Sequence, residues 1–190
     1  MQLEGKRVAI LVEQGFEEVE LTEPRRALDE AGAETVLVSP RPDEVKAWNH
    51  GEWGRTYPVD LPLAEADAEE FDALLLPGGV MNPDKLRINP QARHLVRGFF
   101  AAGKPIAAIC HGPWTLIDAG VVAGLTVTSY PTLRLDLENA GASWVDREVV
   151  VDQGVVTSRQ PADLPAFNAK LVEEIGEGIH QRRPAGTRRG

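Results

Sequence analysis

Short apolar runs alternate with segments of helical apolar spacing through most of the chain. The runs at Lys6–Glu13, Glu34–Ser39 and Phe71–Pro77 predict buried strands, since continuous apolar stretches of this length are typical of parallel sheets. Apolar positions three and four apart predict helices over Glu17–Ala31 and Asn89–Ala102. This alternation predicts an α/β sandwich with a mainly parallel sheet and right-handed crossovers.

The later part of the chain is more irregular. Helices are predicted over Leu133–Ala140 and Ala162–Ile175, and Asp152–Gly154 has the composition of a hairpin turn. Four short strands are also predicted there: Leu125–Thr128, Ser143–Val145, Glu148–Val151 and Val155–Ser158. We expect residues 1–180 to form one domain, because nothing in the pattern calls for a second core.

One more apolar run, Pro105–Ile109, ends abruptly at Cys110, the only cysteine. Gly112 and Pro113 then force a turn into a helix, since proline suits the first helical turn. Cys110 is therefore predicted on a tight strand-to-helix elbow, where unpaired helical N–H groups lower the pKa of a thiol and favour the thiolate. An inert core thiol is the alternative, because free cysteine is among the most buried residue types.

Two other chemical features also follow predicted strands. Glu17 comes after the first strand, and Gly78 and Gly79 come after the third. Ligands of open parallel sheets bind at the carboxyl ends of the strands, so we expect these residues to lie near Cys110. A backbone N–H of this region, from His111 for instance, is placed to hold a developing oxyanion.

Composition and charge narrow the classes of function. The formal net charge of -9 argues against a stable nucleic-acid complex, which needs a basic surface. The segment 181–190 is locally basic and is predicted to be a flexible tail. No apolar run has membrane-spanning length, and the start lacks a secretion signal, so no membrane partner and a reducing, cytoplasmic location are the expectation.

The histidines and tryptophans give two further predictions. The four histidines, His50, His94, His111 and His180, lack metal-ligand spacing, so neither a structural nor a catalytic metal is predicted. Trp48 and Trp53 flank a glycine-containing loop around His50, which predicts a hairpin at a subunit contact.

Several of these segments together resemble the PfpI family of the class I glutamine amidotransferase-like superfamily. The segments are GFEEVEL at 15–21, FDALLLPGG at 71–79, GKPIAAICHGP at 103–113, TSYP followed by ENAGASWVDREVVVD, and TSRQPADLPAF near the C-terminus. That family includes intracellular proteases, glyoxalases and protein deglycases. The resemblance implies a flavodoxin-like three-layer sandwich whose nucleophile is the elbow cysteine, here Cys110.

The resemblance also assigns roles to the residues beside the nucleophile. Alignment of the FE[ED]xE motif selects Glu17 as a protonated carboxyl that is hydrogen-bonded to the cysteine sulfur and moves protons. Glu18 and Glu20 lie beside it, and a structural role at the helix N-terminus is the alternative for Glu17. His111 resembles the histidine of the family's Cys-His pair, although neighbouring side chains on an elbow usually diverge.

Three more site residues follow from the same resemblance. Asp84 stands where members of this type carry a carboxylate that orients the histidine from a neighbouring subunit, although a solvated charge or helix cap is the alternative. Gly79 resembles the residue whose N–H completes the oxyanion hole opposite His111. Tyr130 resembles a pocket-lining residue, with a buried structural tyrosine as the alternative.

The resemblance implies a stress-defence enzyme that acts on reactive carbonyls without a cofactor. Its expected substrates are small reactive aldehydes or glycated proteins and nucleotides, and its expected reactions are those of a glutathione-independent glyoxalase or a deglycase. A cysteine peptidase is the second expectation. A non-enzymatic redox sensor or chaperone that uses oxidation of Cys110 is the third. If Asp84 acts across an interface, the active form is a homodimer or larger homo-oligomer.

Overall fold

A seven-stranded sheet forms the centre of the protein. The computed structural model describes residues 2–182. The strand order is β10-β11-β7-β6-β1-β2-β5, and all neighbours pair in parallel except β10 with β11. The strands of this sheet are β1 (Arg7–Leu11), β2 (Glu34–Ser39), β5 (Leu61–Pro62), β6 (Ala73–Leu76), β7 (Ile106–Ile109), β10 (Val149–Asp152) and β11 (Val155–Ser158).

Six helices lie around the sheet in residues 2–182. They are α1 (Glu18–Ala31), α2 (Met81–Ile88), α3 (Pro90–Ala101), α4 (Pro113–Ala119), α5 (Arg134–Asn139) and α6 (Leu164–Glu177). Apolar residues of α1 and α6 pack in one core, and those of α3, α4 and α5 pack in the other. The chain therefore has the flavodoxin-like three-layer α/β/α arrangement predicted from the sequence.

The central strands supply both cores with alternate side chains. In β1, Val8 and Ile10 pack on the α1 side, whereas Ala9 and Leu11 pack on the other side. This two-residue alternation follows from the pleat of a strand. Because both faces are covered, the strands are apolar throughout, which is why short continuous runs predicted them correctly.

Two small sheets lie outside the central one. An antiparallel hairpin joins β3 (Glu44–Asn49) to β4 (Glu52–Pro58), with Trp48 opposite Trp53 across it, so the predicted hairpin is confirmed. The other small sheet is a parallel pair, β8 (Thr126–Val127) and β9 (Ser143–Trp144). The sequence predicted these two strands but gave no indication that they pair apart from the main sheet.

The C-terminal residues of the described chain are anchored rather than free. Arg182 donates hydrogen bonds to the carbonyls of Gln153, Phe99, Phe100 and Lys104. The predicted flexible tail covers residues 181–190, and its residues 183–190 lie outside the described part. Within residues 2–182, no helix is both long enough and apolar enough to cross a membrane.

Candidate active site

The strand-to-helix elbow at Cys110 is present and strained. Cys110 has a φ of 61°, in the left-handed region that side chains other than glycine rarely adopt. Its N–H donates to the carbonyl of Ser158 at the end of β11, 3.0 Å away, and its own carbonyl accepts from Tyr130. Pro113 begins α4 immediately afterwards, as predicted. These bonds on both sides fix the sulfur at the carboxyl end of the sheet.

The Cys110 thiol is held in a nearly closed environment. Only 8% of the residue is exposed, and the backbone N–H groups of Gly79 and His111 both hydrogen-bond the sulfur. Burial raises the pKa of the thiol, the nearby Glu20 carboxylate raises it further, and the two N–H bonds only partly oppose this. The sequence prediction of a lowered thiol pKa was therefore wrong, because it counted the N–H groups and not the loss of water.

Glu20 is the carboxyl that meets Cys110. It is fully buried, at 0% exposure, on the inner side of α1, and its Oε2 accepts a hydrogen bond of 2.8 Å from the N–H of Gly78. Burial raises its pKa to about 8, the negative charge of Glu17 adds to that rise, and the hydrogen bond from Gly78 and interaction with the Cys110 thiol offset part of it. Its Oε1 has no hydrogen-bond partner of standard geometry within residues 2–182. A carboxyl in this state carries a proton at neutral pH.

The position assigned to Glu17 therefore needs correction. Glu17 precedes the first residue of α1, and its Oε1 lies 3.8 Å from Nδ1 of His50 and 3.4 Å from the His50 N–H, at the tip of the hairpin. Glu20 lies one helical turn further on and points inward. Motif alignment selected the first glutamate of the segment, whereas the periodicity of α1 decides which one reaches the sheet.

Gly78 and Gly79 bring the backbone close enough to the elbow for these contacts. A Cβ on Gly78 would lie 2.5 Å from Oε2 of Glu20 and 2.7 Å from Cβ of Cys110, so both side chains flank this glycine. Gly79 has a φ of 76°, and a Cβ there would lie 2.6 Å from the carbonyl of Gly15. Both positions therefore require glycine for space, and Gly79 requires it for conformation as well.

The His111 imidazole turns back toward the sulfur despite its position next to Cys110. Nδ1 lies 3.1 Å from Sγ of Cys110, and Nε2 lies 3.3 Å from Oγ1 of Thr132. The ring stacks on Tyr130 at 4.8 Å and meets Trp114 edge-on at 5.1 Å. Burial lowers the pKa of His111, which favours the neutral imidazole. The positive φ of Cys110 makes this adjacent pairing possible.

The two remaining predicted site residues, Tyr130 and Asp84, differ in whether they contact the His111 ring. Tyr130 is partly exposed and lies against the His111 ring, so it borders the site. Asp84 is exposed in the first turn of α2, and the contacts of the His111 ring described above do not include it. The structure thus brings together Cys110, His111, Gly79 and Tyr130, with Glu20 in place of Glu17.

Sequence inspection missed Asn82, a buried amide behind the glycine pair. Its side-chain nitrogen donates to the carbonyls of Pro77 and Gly78 at 2.9 and 3.0 Å, and its oxygen accepts from the N–H of Glu13 at 2.7 Å. Asn82 therefore ties the ends of β1 and β6 together. An asparagine directly before Pro83 resembles an ordinary helix start, so the sequence carried no signal for this role.

Two other features lie away from Cys110. His50 lines an open groove of about 600 Å³ between α1 and the hairpin, and Cys110 does not line that groove. Near the C-terminus, one ligand atom from each of Glu174, Glu177 and His180 lies within 4.8 Å of the others, and His180 pairs with Glu174 at 3.3 Å. This grouping arises because His180 folds back beside α6, which residue spacing does not reveal.

The model of the DJ-1/PfpI family matches residues 6–174, which is most of the chain. The chain belongs to the DJ-1/PfpI family. The family resemblance predicted from the motifs is therefore confirmed.

Two relatives within the DJ-1/PfpI family have names that refer to an activity. A protein of Pyrococcus abyssi named a deglycase is 45% identical over 167 residues, which are 88% of this chain and 98% of the relative. A protein of Bacillus subtilis with the name "Putative cysteine protease YraA" is 42% identical over 168 residues, which are 88% of this chain and 97% of the relative. Both names point to an enzyme, and they differ on the reaction.

Solved structures of the DJ-1/PfpI family share the fold. The crystal structure of Drosophila melanogaster DJ-1beta superposes with a TM-score of 0.82 at 30% identity, covering 90% of each chain. A two-domain protein of Anabaena variabilis with DJ-1/ThiJ/PfpI-like and ferritin-like domains gives a TM-score of 0.84 at 38% identity. The match covers 90% of this chain and 48% of that one, so the similarity is to about half of the two-domain protein.

Proposed function

We propose that this protein is a cysteine-dependent enzyme that acts on reactive carbonyls, as a glutathione-independent glyoxalase or a deglycase. The observation that supports this most directly is the buried pair of Cys110 and Glu20, with the N–H groups of Gly79 and His111 beside the sulfur. The Pyrococcus abyssi relative named a deglycase supports the same class of reaction.

The Cys110 thiol and the Glu20 carboxyl are electrostatically coupled, and this coupling suits a reaction that moves protons. Ionisation of Glu20 raises the pKa of the Cys110 thiol, since both would place negative charge in the same closed space, whereas interaction with the thiol lowers the pKa of Glu20. At neutral pH, Glu20 holds its proton and removes that repulsion. His111, whose neutral Nδ1 faces the sulfur, is then placed to accept the thiol proton as Cys110 attacks.

The reaction on methylglyoxal follows from these positions. Sγ of Cys110 bonds to the aldehyde carbon as the thiol proton passes to His111, and the N–H groups of Gly79 and His111 hold the oxyanion until it takes the proton of Glu20. The Glu20 carboxylate formed in this way then removes the proton from the former aldehyde carbon and returns it to the adjacent carbon, while the new hydroxyl passes its proton to the ketone oxygen, which leaves a lactyl thioester. Water cleaves the thioester to lactate and the free thiol, so the sum is methylglyoxal plus water giving lactate.

The same steps apply to the adducts that such aldehydes form with amines and thiols. An aminocarbinol carries the same two adjacent carbons, with the amine bonded to the former aldehyde carbon. Loss of the amine gives the free aldehyde, from which the steps described for methylglyoxal proceed. Small aldehydes and glycated proteins or nucleotides are thus one proposed substrate class.

The test is lactate formation from methylglyoxal without added glutathione. We expect the wild-type protein to turn over, and Cys110→Ala and Cys110→Ser to fall to the uncatalysed background, because no other thiol is present in the chain. Turnover that survives in either variant would overturn the proposal.

A cysteine peptidase is the second candidate, and the 3.1 Å approach of Nδ1 of His111 to Sγ of Cys110 favours it, as does the name of the Bacillus subtilis relative. The 8% exposure of Cys110 weighs against it, since a peptide chain needs an accessible cleft. Casein hydrolysis that depends on Cys110, without lactate formation, would replace the carbonyl proposal with this one.

We further propose that the active form is a homodimer or larger homo-oligomer. Val80 and Ile88, at the two ends of α2, are 55% and 73% exposed, and Asp84 lies between them on the same short helix. Large exposed apolar side chains beside an active site suit a subunit contact. Sedimentation at micromolar concentration is expected to show a dimer or larger species, and a fully active monomer would contradict this.

A further inference from the structure

The orientation of the His111 ring needs an explanation beyond Cys110. A half-turn of the ring about the bond that carries it would put Cδ2 in the place of Nδ1 and Cε1 in the place of Nε2, so only one arrangement places Nδ1 on the sulfur. The stacked Tyr130 and the edge-on Trp114 restrict the tilt of the ring, but neither contact distinguishes these two arrangements. A polar partner at Nε2 is required for that.

Thr132 supplies the polar partner. Its Oγ1 lies 3.3 Å from Nε2, on the opposite side of the ring from the sulfur. We propose that Thr132 is a positioning residue that accepts the Nε2–H of His111 and so keeps the lone pair of Nδ1 directed at the Cys110 thiol. The importance of Thr132 for catalysis rests on the proposed function. Its effect on the orientation of the His111 ring rests on the distances alone.

The direction of the hydrogen bond follows from the proton count of the ring. Burial lowers the pKa of His111 and raises that of Cys110, so a neutral imidazole faces a protonated thiol. A neutral imidazole carries one N–H, and the S–H needs an acceptor at Nδ1, which leaves the proton on Nε2. The Thr132 hydroxyl is then the acceptor, and its own proton is free to turn toward solvent.

The backbone around Thr132 holds it in a fixed place relative to the elbow. Thr132 lies in a short 3-10 turn, Pro131–Leu133, which begins directly after Tyr130. The N–H of Tyr130 donates to the carbonyl of Cys110 at 2.9 Å, and Leu133 is fully buried in the core. The backbone hydrogen bond between Tyr130 and Cys110 therefore connects the turn that carries Thr132 to the nucleophile.

The substitution Thr132→Val tests this with little change in volume. Thr132 is exposed, so the fold tolerates a methyl group there, and Thr132→Ser keeps the hydroxyl as the matched comparison. Thr56→Val, another exposed threonine on the hairpin, controls for a general effect of the substitution. Two readouts are needed, and neither uses a carbonyl substrate.

The first readout is the ¹⁵N spectrum of the His111 ring, assigned by comparison with His111→Gln. We expect the Nε2–H tautomer in the wild type, in Thr132→Ser and in Thr56→Val, and a mixture of tautomers in Thr132→Val. The second is the rate of iodoacetamide alkylation, which reports Cys110 alone because the chain has one cysteine. We expect Thr132→Val to slow alkylation about fivefold, the size of one lost neutral hydrogen bond, and Thr132→Ser to restore it.

An unchanged tautomer and alkylation rate in Thr132→Val would overturn the inference. An equal loss of the Nε2–H tautomer and of the alkylation rate in Thr132→Val and Thr132→Ser would overturn it as well, since the hydroxyl group would then not be what orients the ring. If the wild type forms no lactate but the tautomer shifts as described, the proposed function fails and the positioning role of Thr132 stands.

Discussion

At the scale of single residues, the choice between Glu17 and Glu20 shows what the sequence could and could not decide. The segment GFEEVEL offers several carboxylates within one helical turn, and their charge is identical. Only the phase of α1 against the sheet separates them: Glu20 is fully buried beside Cys110, and Glu17 lies at His50 of the hairpin. Cys110, His111 and Gly79 were predictable because each is tied to a position on the elbow or the glycine pair.

The buried Glu20 makes a prediction about stability and pH. Burial raises the pKa of Glu20 from its ordinary value of 4.5 to about 8, so between these values the folded protein keeps a proton that the unfolded chain releases. The free energy of unfolding therefore falls as pH rises through this window, by at most about 1.4 kcal/mol for each pH unit. In the variant Glu20→Gln the glutamine side chain is neutral at every pH. This variant therefore does not show the decrease in the free energy of unfolding that Glu20 causes.

Urea denaturation at pH 5, 6, 7 and 8 measures the effect. The stability of the wild type relative to Glu20→Gln is expected to decrease steadily from pH 5 to 8. Other titrating groups are present in both proteins and cancel in the difference. A difference that stays constant, or one that increases with pH, would show that Glu20 is not held protonated by the fold.

At the scale of elements, the sequence predicted the regular parts of the fold and missed a connection. The strands of the central sheet apart from β5, which was not predicted, and the helices α1, α3, α4, α5 and α6 were found within a few residues. The helix α2 was missed because Pro83 and polar residues interrupt its apolar period over only eight residues. The separate pairing of β8 with β9 depends on tertiary contacts that no local pattern contains.

Asn82 carries an element-scale prediction, because it connects the start of α2 to the ends of β1 and β6. Asn82→Ala removes a partner from the carbonyls of Pro77 and Gly78 and from the N–H of Glu13 in a buried place, and within the described part of the chain only the Gly78 carbonyl keeps another, the N–H of Glu17 at 3.3 Å. We expect a loss of about 2–4 kcal/mol in the free energy of unfolding, the usual cost of a few unsatisfied buried groups.

Denaturant unfolding of Asn82→Ala against the wild type checks this value. Asn139→Ala is the matched control, since Asn139 is exposed at the end of α5, and it is expected to change stability by about 0.5 kcal/mol or less. Equal effects of the two substitutions would mean that the amide of Asn82 does not hold the loop.

At the scale of the whole molecule, the fold gathers groups that are far apart in sequence at one edge of the sheet. Glu20 comes from the helix after β1, Gly78 and Gly79 follow β6, and Cys110 follows β7. These strands are neighbours in the order β7-β6-β1, so their carboxyl ends meet. The crossover topology was predictable from the alternation of elements, and with it the place of the site.

The proposed reaction pairs Cys110 with Glu20 rather than with Glu17. The most direct measurement is the rate of lactate formation from methylglyoxal, without glutathione, for Glu20→Gln and Glu17→Gln. We expect Glu20→Gln to lose about 100-fold or more, as for removal of a proton-transfer group. Glu17→Gln is expected to stay within about threefold of the wild type, less than 1 kcal/mol of barrier. Loss of turnover in Glu17→Gln with Glu20→Gln still active would contradict this assignment.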